Sequence, residues 1–172
     1  MHPTPSLLRI PGRPVPLLAG HLPGWRHPEA LGSEFDRLVD QGVRRLVCLV
    51  PSEDLEDLWN LAGYLPAART RFGRDFLHVP MEDGGIPSEE AFFDAAVEQV
   101  DRGLLAGEPA FVHCVAGCGR TGLFAACVLV RAGLKPGEAI RVFRDVRGCG
   151  PETADQVACV FRYARRKALD EP

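Results

Sequence analysis

Cys114 and Arg120 stand six positions apart in the run His113-Cys114-Val115-Ala116-Gly117-Cys118-Gly119-Arg120-Thr121-Gly122. A thiol and a guanidinium at that spacing suit nucleophilic attack on a bound anion. Residues 115–120 can curl into a ring of backbone N–H donors, because Gly117 and Gly119 accept backbone angles that other residues resist. Arg120 adds a planar fork that grips two phosphate oxygens together, which a lysine cannot do. The same positive field favours the thiolate form of Cys114. One loop would therefore bind a dianion through Val115, Ala116, Gly117, Cys118, Gly119 and Arg120, and aim a nucleophile at its phosphorus. Thr121 can hydrogen-bond the sulfur and ease its departure in a second step. His113 is expected to orient the loop rather than act as a base.

Such a reaction also needs a proton for the departing oxygen. Asp83 is the candidate, in Val79-Pro80-Met81-Glu82-Asp83-Gly84-Gly85-Ile86-Pro87. Glu82 is a rival acid, and the bland reading of Asp83 is a turn aspartate before two glycines.

These residues need elements to hold them. The apolar run before Cys114, Pro109 to Val112, is short enough for a buried strand, and Leu123 to Val130 is apolar on all sides, as in a buried helix. Leu46 to Val50 and Phe76 to Val79 predict two further buried strands. Helices are expected from Ser33 to Gly42, from Ser52 to Gly63, after Pro87, after Pro136, and from about Thr153 to Ala168. Residues 1–28 carry seven prolines and are expected to be a Pro-rich segment packed on a domain of residues 29–172, with one edge strand near Val15 to Ala19. Arg69 to Arg74 reads as a solvated loop or, less readily, as a substrate contact. Strands separated by helices imply an α/β single domain with a mostly parallel central sheet and helices on both faces. Ligands in such sheets sit beyond the carboxyl ends of strands. The cysteine loop and the Asp83 loop both fall there.

The composition is that of one ordinary globular domain: 172 residues, 46% hydrophobic, formal charge −3. That charge offers no overall basic footprint for nucleic acid or an acidic membrane. No run is long and apolar enough for a leader or a span, so a cytoplasmic location is expected. Six cysteines do not make a disulfide scaffold necessary in a chain of this size. His113, Cys114 and Cys118 lack the second close-spaced pair that a zinc site needs. No metal or organic cofactor is called for.

The run His113 to Gly122 resembles the signature loop of the protein tyrosine phosphatase superfamily, H-C-x-x-G-x-x-R-[S/T], in its dual-specificity branch and nearest the kinase-associated phosphatase group. The resemblance extends from about Gly20 to Tyr163. It implies Cys114 as nucleophile, Arg120 as phosphate clamp, Thr121 at the hydroxyl position and Asp83 as general acid. Glu152-Thr153-Ala154-Asp155-Gln156 resembles an E-T-x-E-Q stretch of some members. Gln156 then orients the hydrolytic water, or else belongs to an ordinary helix start capped by Thr153. The implied reaction is phosphomonoester hydrolysis through a cysteinyl-phosphate intermediate, on phosphotyrosine and phosphoserine or phosphothreonine in proteins, by a monomer. Phosphoinositides, small phosphomonoesters and non-catalytic phosphoprotein binding stand as alternatives. Lipid-directed members tend to carry lysines where this chain has Val115 and Cys118. A resolving role for Cys48 or Cys149 toward oxidised Cys114 is also expected.

Overall fold

The computed structural model describes residues 4–170, so the first three residues of the Pro-rich segment, Pro3 among them, lie outside the described residues. A five-stranded sheet runs in the order β1-β2-β5-β3-β4, with β1 Ser6–Leu8, β2 Leu17–Gly20, β3 Arg45–Cys48, β4 Phe76–His78 and β5 Ala110–His113. Only β1 is antiparallel to its neighbour; the other pairs are parallel. Six helices flank the sheet: α1 Leu31–Asp40, α2 Tyr64–Phe72, α3 Glu90–Leu105, α4 Gly119–Arg131, α5 Pro136–Arg147 and α6 Ala154–Asp170. Helix α2 packs against α1, β3 and β4, whereas α4 packs against α3, α5, α6 and β5.

Register places the chemistry. Gly20 and Cys48 both stand opposite His113, and His78 stands opposite Cys48, so four strands end in one line. The loops that follow them share one edge of the sheet, as the crossover rule requires. Strand β5 is buried throughout because it is central and covered on both faces. From Gly119 to Val130 α4 is buried without interruption, which explains its unbroken apolar sequence.

Four local expectations are corrected. The strand expected near Val15 to Ala19 runs from Leu17 to Gly20 and is not an edge, because the short β1 covers its outer side. A three-residue strand leaves too little alternation to detect. The helix expected from Ser52 to Gly63 shrinks to a π-turn at Asp54–Leu58, and Arg69 and Arg71 belong to α2 rather than to a loop. Pro66 falls in the first turn of α2, where its missing N–H is harmless. The helix expected to start at Ser33 starts at Leu31 instead, and the Ser33 hydroxyl donates to the Ala30 carbonyl from within it rather than capping its end.

The abundant arginines are largely structural. Arg13 grips Asp101 through two hydrogen bonds (2.7 and 2.9 Å), Arg166 grips Asp94 likewise (2.8 and 2.9 Å), and Arg45 donates to Asp75 (2.8 Å). Arg71 pairs with Asp36 of α1.

Candidate active site

Cys114 follows β5 directly and lies buried at the base of a cleft of about 270 Å³. Asp54, Leu58, Trp59, Asp83, Arg120 and Glu152 are among its walls, together with Val115, Ala116 and Gly119 of the loop. The loop's carbonyls are engaged, three by groups from elsewhere in the chain and the last by the first turn of α4. Val115 O accepts from Leu22 N (2.9 Å), Ala116 O and Gly117 O accept from the Arg147 guanidinium (2.9 and 3.0 Å), and Cys118 O accepts from Gly122 N (2.7 Å). In a planar trans peptide the N–H points opposite to the C=O. Drawing these carbonyls away therefore turns the amides of Ala116, Gly117, Cys118 and Gly119 to the other side, with the N-terminus of α4 behind them.

Two glycines permit the wrap. Gly117 has φ +74°, and a Cβ there would strike the backbone of Gly20. A Cβ on Gly119 would lie 2.5 Å from Glu152 Oε2 and about 3 Å from the Gln156 amide.

Arg120 is 2% exposed, and it donates from Nη1 to the Met81 carbonyl (2.9 Å) and from Nη2 to Asp83 Oδ1 (3.1 Å). Its Nε–H is buried without a partner, and so is the Thr121 hydroxyl. Buried polar groups in folded proteins are nearly always paired. Arg45 Nε and Arg131 Nε, away from the cleft, lack a hydrogen-bond partner too, but Arg120 alone of the three arginines shares the cleft with Cys114. Asp83 reaches over the cleft from the loop after β4, whereas Glu82 faces away from it. That arrangement separates the two rival acids.

His113 is fully buried, and burial depresses its pKa to about 3. Nδ1 lies 3.0 Å from the Cys114 carbonyl, which can only accept, so Nδ1 carries the hydrogen. Nε2 must then accept from the Tyr64 hydroxyl at 2.5 Å. Burial pushes the Tyr64 pKa well up, so that hydroxyl keeps its proton. The imidazole is thus a neutral strut between α2 and the start of the loop, in keeping with an orienting role.

Gln156 is fully buried and does not line the cleft. Its Oε1 accepts from Glu152 N and Thr153 N (3.0 and 3.3 Å), and its Nε2 donates to Gly85 O (3.1 Å). Gln156 N donates in return to Thr153 Oγ1 (3.2 Å), which itself donates to Gly84 O (3.0 Å). This is a capping box whose side chains also hold the Asp83 loop.

The six cysteines divide differently from expectation. Cys118 points away from the cradle and is joined to Cys149, with their Cα atoms 5.4 Å apart. Cys149 is therefore not available to Cys114 as drawn. Cys48, at the end of β3, is a buried thiol whose pKa is pushed up to about 12 by desolvation. Among the described residues no cluster of three or more His, Cys, Asp or Glu side chains gathers as a metal site. Arg69, Arg71 and Arg74 do not line the cleft. Thr153 caps α6 as one reading of the sequence has it, whereas Tyr64 and Arg147 are braces that nothing local in the sequence marks.

The chain belongs to the DSP-PTPase phosphatase family: the family model "Polymorphic toxin system, DSP-PTPase phosphatase" (Tc-R-P) matches residues 23–134. Among curated proteins the chain is 36% identical to cyclin-dependent kinase inhibitor 3 of Rattus norvegicus over 75 residues, 42% of this chain and 35% of that one. It is also 36% identical to protein tyrosine phosphatase domain-containing protein 1 of Mus musculus over 103 residues, 59% of this chain and 14% of that one. The matches thus span about a third or less of those relatives' lengths. Among solved structures, kinase associated phosphatase with its catalytic-site cysteine changed to serine superposes with TM-score 0.85 at 22% identity, covering 100% of this chain and 99% of that one. Tk-PTP in its active form gives 0.69 at 25% identity, covering 94% and 97%. PTPMT1 gives 0.66 at 22% identity, covering 95% and 96%. No helix among the described residues is long and apolar enough to cross a membrane.

Proposed function

We propose that the chain is an active cysteine-dependent phosphatase that hydrolyses phosphomonoesters on proteins through a cysteinyl-phosphate intermediate. The observation that carries this is that Cys114, Arg120 and Asp83 line one cleft, with Arg120 Nε and the hydroxyl of the next residue, Thr121, buried and unpartnered. A phosphoryl oxygen would satisfy the first and the sulfur the second.

In the first step the Cys114 sulfur forms a bond to phosphorus as the ester P–O bond breaks. Asp83 gives its proton to the departing oxygen. The inward amides and Arg120, through the Nε–H that Met81 and Asp83 leave unpaired, hold the non-bridging oxygens, where charge must be stabilised. In the second step water attacks phosphorus, Asp83 takes its proton, and the S–P bond breaks to release inorganic phosphate and the thiolate. Because Gln156 is engaged by backbone, its contribution is to hold the Asp83 loop; orienting the water would require its amide to leave Gly85. His113 fixes the carbonyl of Cys114 throughout.

Protein substrates are favoured by the likeness to proteins named kinase associated phosphatase and cyclin-dependent kinase inhibitor 3. A monomer working in the cytoplasm remains the expectation. Hydrolysis of p-nitrophenyl phosphate by wild type and by Cys114→Ser tests the reaction. Wild type should turn over and bind vanadate competitively, and the serine variant should be inactive. Robust turnover by Cys114→Ser would contradict the proposal.

A further inference from the structure

The walls of the cleft carry a charge pattern that bears on which phosphomonoesters can enter. Its lining holds one cation, Arg120, and three carboxylates, those of Asp54, Asp83 and Glu152. Arg120 is already engaged in part by Asp83. Glu152 lies against Gly119, on the lip of the cradle itself. Asp54 begins the π-turn on the facing wall, whose further acids Glu56 and Asp57 are exposed. Arg26, on the same side of the molecule, stacks on the Trp25 ring (4.5 Å) and does not line the cleft. Arg147 is directed to the outer carbonyls of the loop.

The base and the rim of the site are thus of opposite sign. The amides, the α4 N-terminus and Arg120 favour one phosphoryl dianion at depth. A second anionic group beside that phosphoryl would face Asp54 and Glu152, whereas a cationic group would be attracted. Leu58 is 65% exposed and Trp59 is half-buried beside it, its ring edge-on to Trp25 at 6.0 Å. They supply an apolar shelf between the acids, suited to the stem of a phosphorylated side chain or of a neighbouring arginine.

Resting on the phosphatase reading above, we infer that Asp54 and Glu152 are specificity-determining residues that select phosphopeptides with arginine or lysine beside the phosphorylated residue. The same charges select against polyanionic substrates. Complementary charge at a rim acts chiefly on capture and discrimination, and salt screens it.

The test uses the full chain and three substrates: a phosphotyrosine peptide flanked by arginines, the same peptide flanked by glutamates, and phosphatidylinositol monophosphate in phosphatidylcholine vesicles. The measured quantity is the ratio of kcat/KM for the arginine-flanked to the glutamate-flanked peptide, each taken on the same enzyme preparation. Wild type should show a ratio of about tenfold or more at low ionic strength, shrinking severalfold toward 1 M salt where the screening length is about 3 Å. Asp54→Asn and Glu152→Gln should each lower the ratio about threefold, and the double Asp54→Lys, Glu152→Lys variant should invert it. If Glu152 variants fail to fold, Asp54→Asn and the salt dependence still decide. A ratio near one, a ratio unmoved by the substitutions, or preferred hydrolysis of the lipid would overturn the inference. Absence of p-nitrophenyl phosphate turnover would instead count against the phosphatase reading itself.

Discussion

Arg120 Nη2 donates to Asp83 Oδ1 at 3.1 Å, joining a side chain 2% exposed to one 89% exposed. The buried partner belongs to the cradle and the exposed one to the loop after β4. The residue proposed to clamp phosphate therefore also draws the proposed acid over the cleft. Arg120 has five N–H groups in a rigid fork, so it can hold Met81 O and Asp83 and still present Nε to a phosphoryl oxygen.

This linkage makes the two residues energetically dependent. Asp83→Asn should lower kcat by about 10²-fold for substrates with poor leaving groups, and much less for p-nitrophenyl phosphate. Arg120→Lys keeps the charge but loses the fork, and kcat/KM should fall about 10²- to 10³-fold. In the Arg120→Lys background the Asp83→Asn effect should shrink, since the acid is no longer held. A double-mutant cycle reads this directly. Strictly additive losses would show that the pair is incidental.

Thr153 ties the first turn of α6 to Gly84 O and caps that helix at once. Thr153→Val should cost about 1 kcal/mol of stability through the lost cap. It should also lower kcat while leaving vanadate affinity nearly intact, because the acid loop loosens and the cradle does not. Thr153→Ser should restore both. Equal losses in vanadate affinity and kcat would place Thr153 in the cradle instead.

His113 is buried neutral, with its pKa depressed to about 3 against about 6.5 in an unfolded chain. The unfolded state thus binds the extra proton between those values. Its contribution to stability is complete above about pH 6.5 and is lost as pH falls below that, by up to about 1.4 kcal/mol per pH unit. Denaturant midpoints from pH 7 to pH 5 should fall more steeply for wild type than for His113→Gln. Tyr64→Phe removes the donor to a buried nitrogen and should cost about 1–3 kcal/mol. Parallel pH slopes in wild type and His113→Gln would contradict the neutral strut.

Four thiols are free and two are joined as Cys118–Cys149. Alkylation of denatured, unreduced protein should therefore modify four cysteines, and all six after reduction. The bridge closes a separation of 31 residues, so reducing it should lower stability by about 3–4 kcal/mol. Uptake of six alkyl groups without reductant would show that the bridge is absent.

What was legible in the sequence was what is contiguous. His113 to Thr121 carries its own glycines, fork and hydroxyl within nine residues, so the cradle and its strand–loop–helix setting could be read directly. Asp83, which lines the cleft, is marked in the sequence by a loop that follows a strand and ends in turn formers. The braces were not legible, since each is a meeting of distant segments. Arg147 reaches Ala116 from α5, and Tyr64 reaches His113 from α2. Neither position differs locally from any other arginine or tyrosine. Helix α2 was obscured although Tyr64, Ala68 and Phe72 form a stripe at i, i+4, i+8, because Pro66 near its start and the basic run at its end read as loop signals. Of the two readings of Gln156, the contacts are those of the helix start, where it completes a capping box, and the same amide also holds Gly85, which the sequence did not suggest.

The central claim is that the sulfur of Cys114 becomes phosphorylated. Rapid quench of wild type into denaturant at alkaline pH, where the S–P bond persists, during turnover of p-nitrophenyl phosphate, followed by peptide mass spectrometry at that pH, tests it most directly. The account predicts a phosphate on the peptide containing Cys114, formed at a rate consistent with kcat and absent from Cys114→Ser. Steady turnover with no phosphate on Cys114, or with phosphate on another residue, would contradict it.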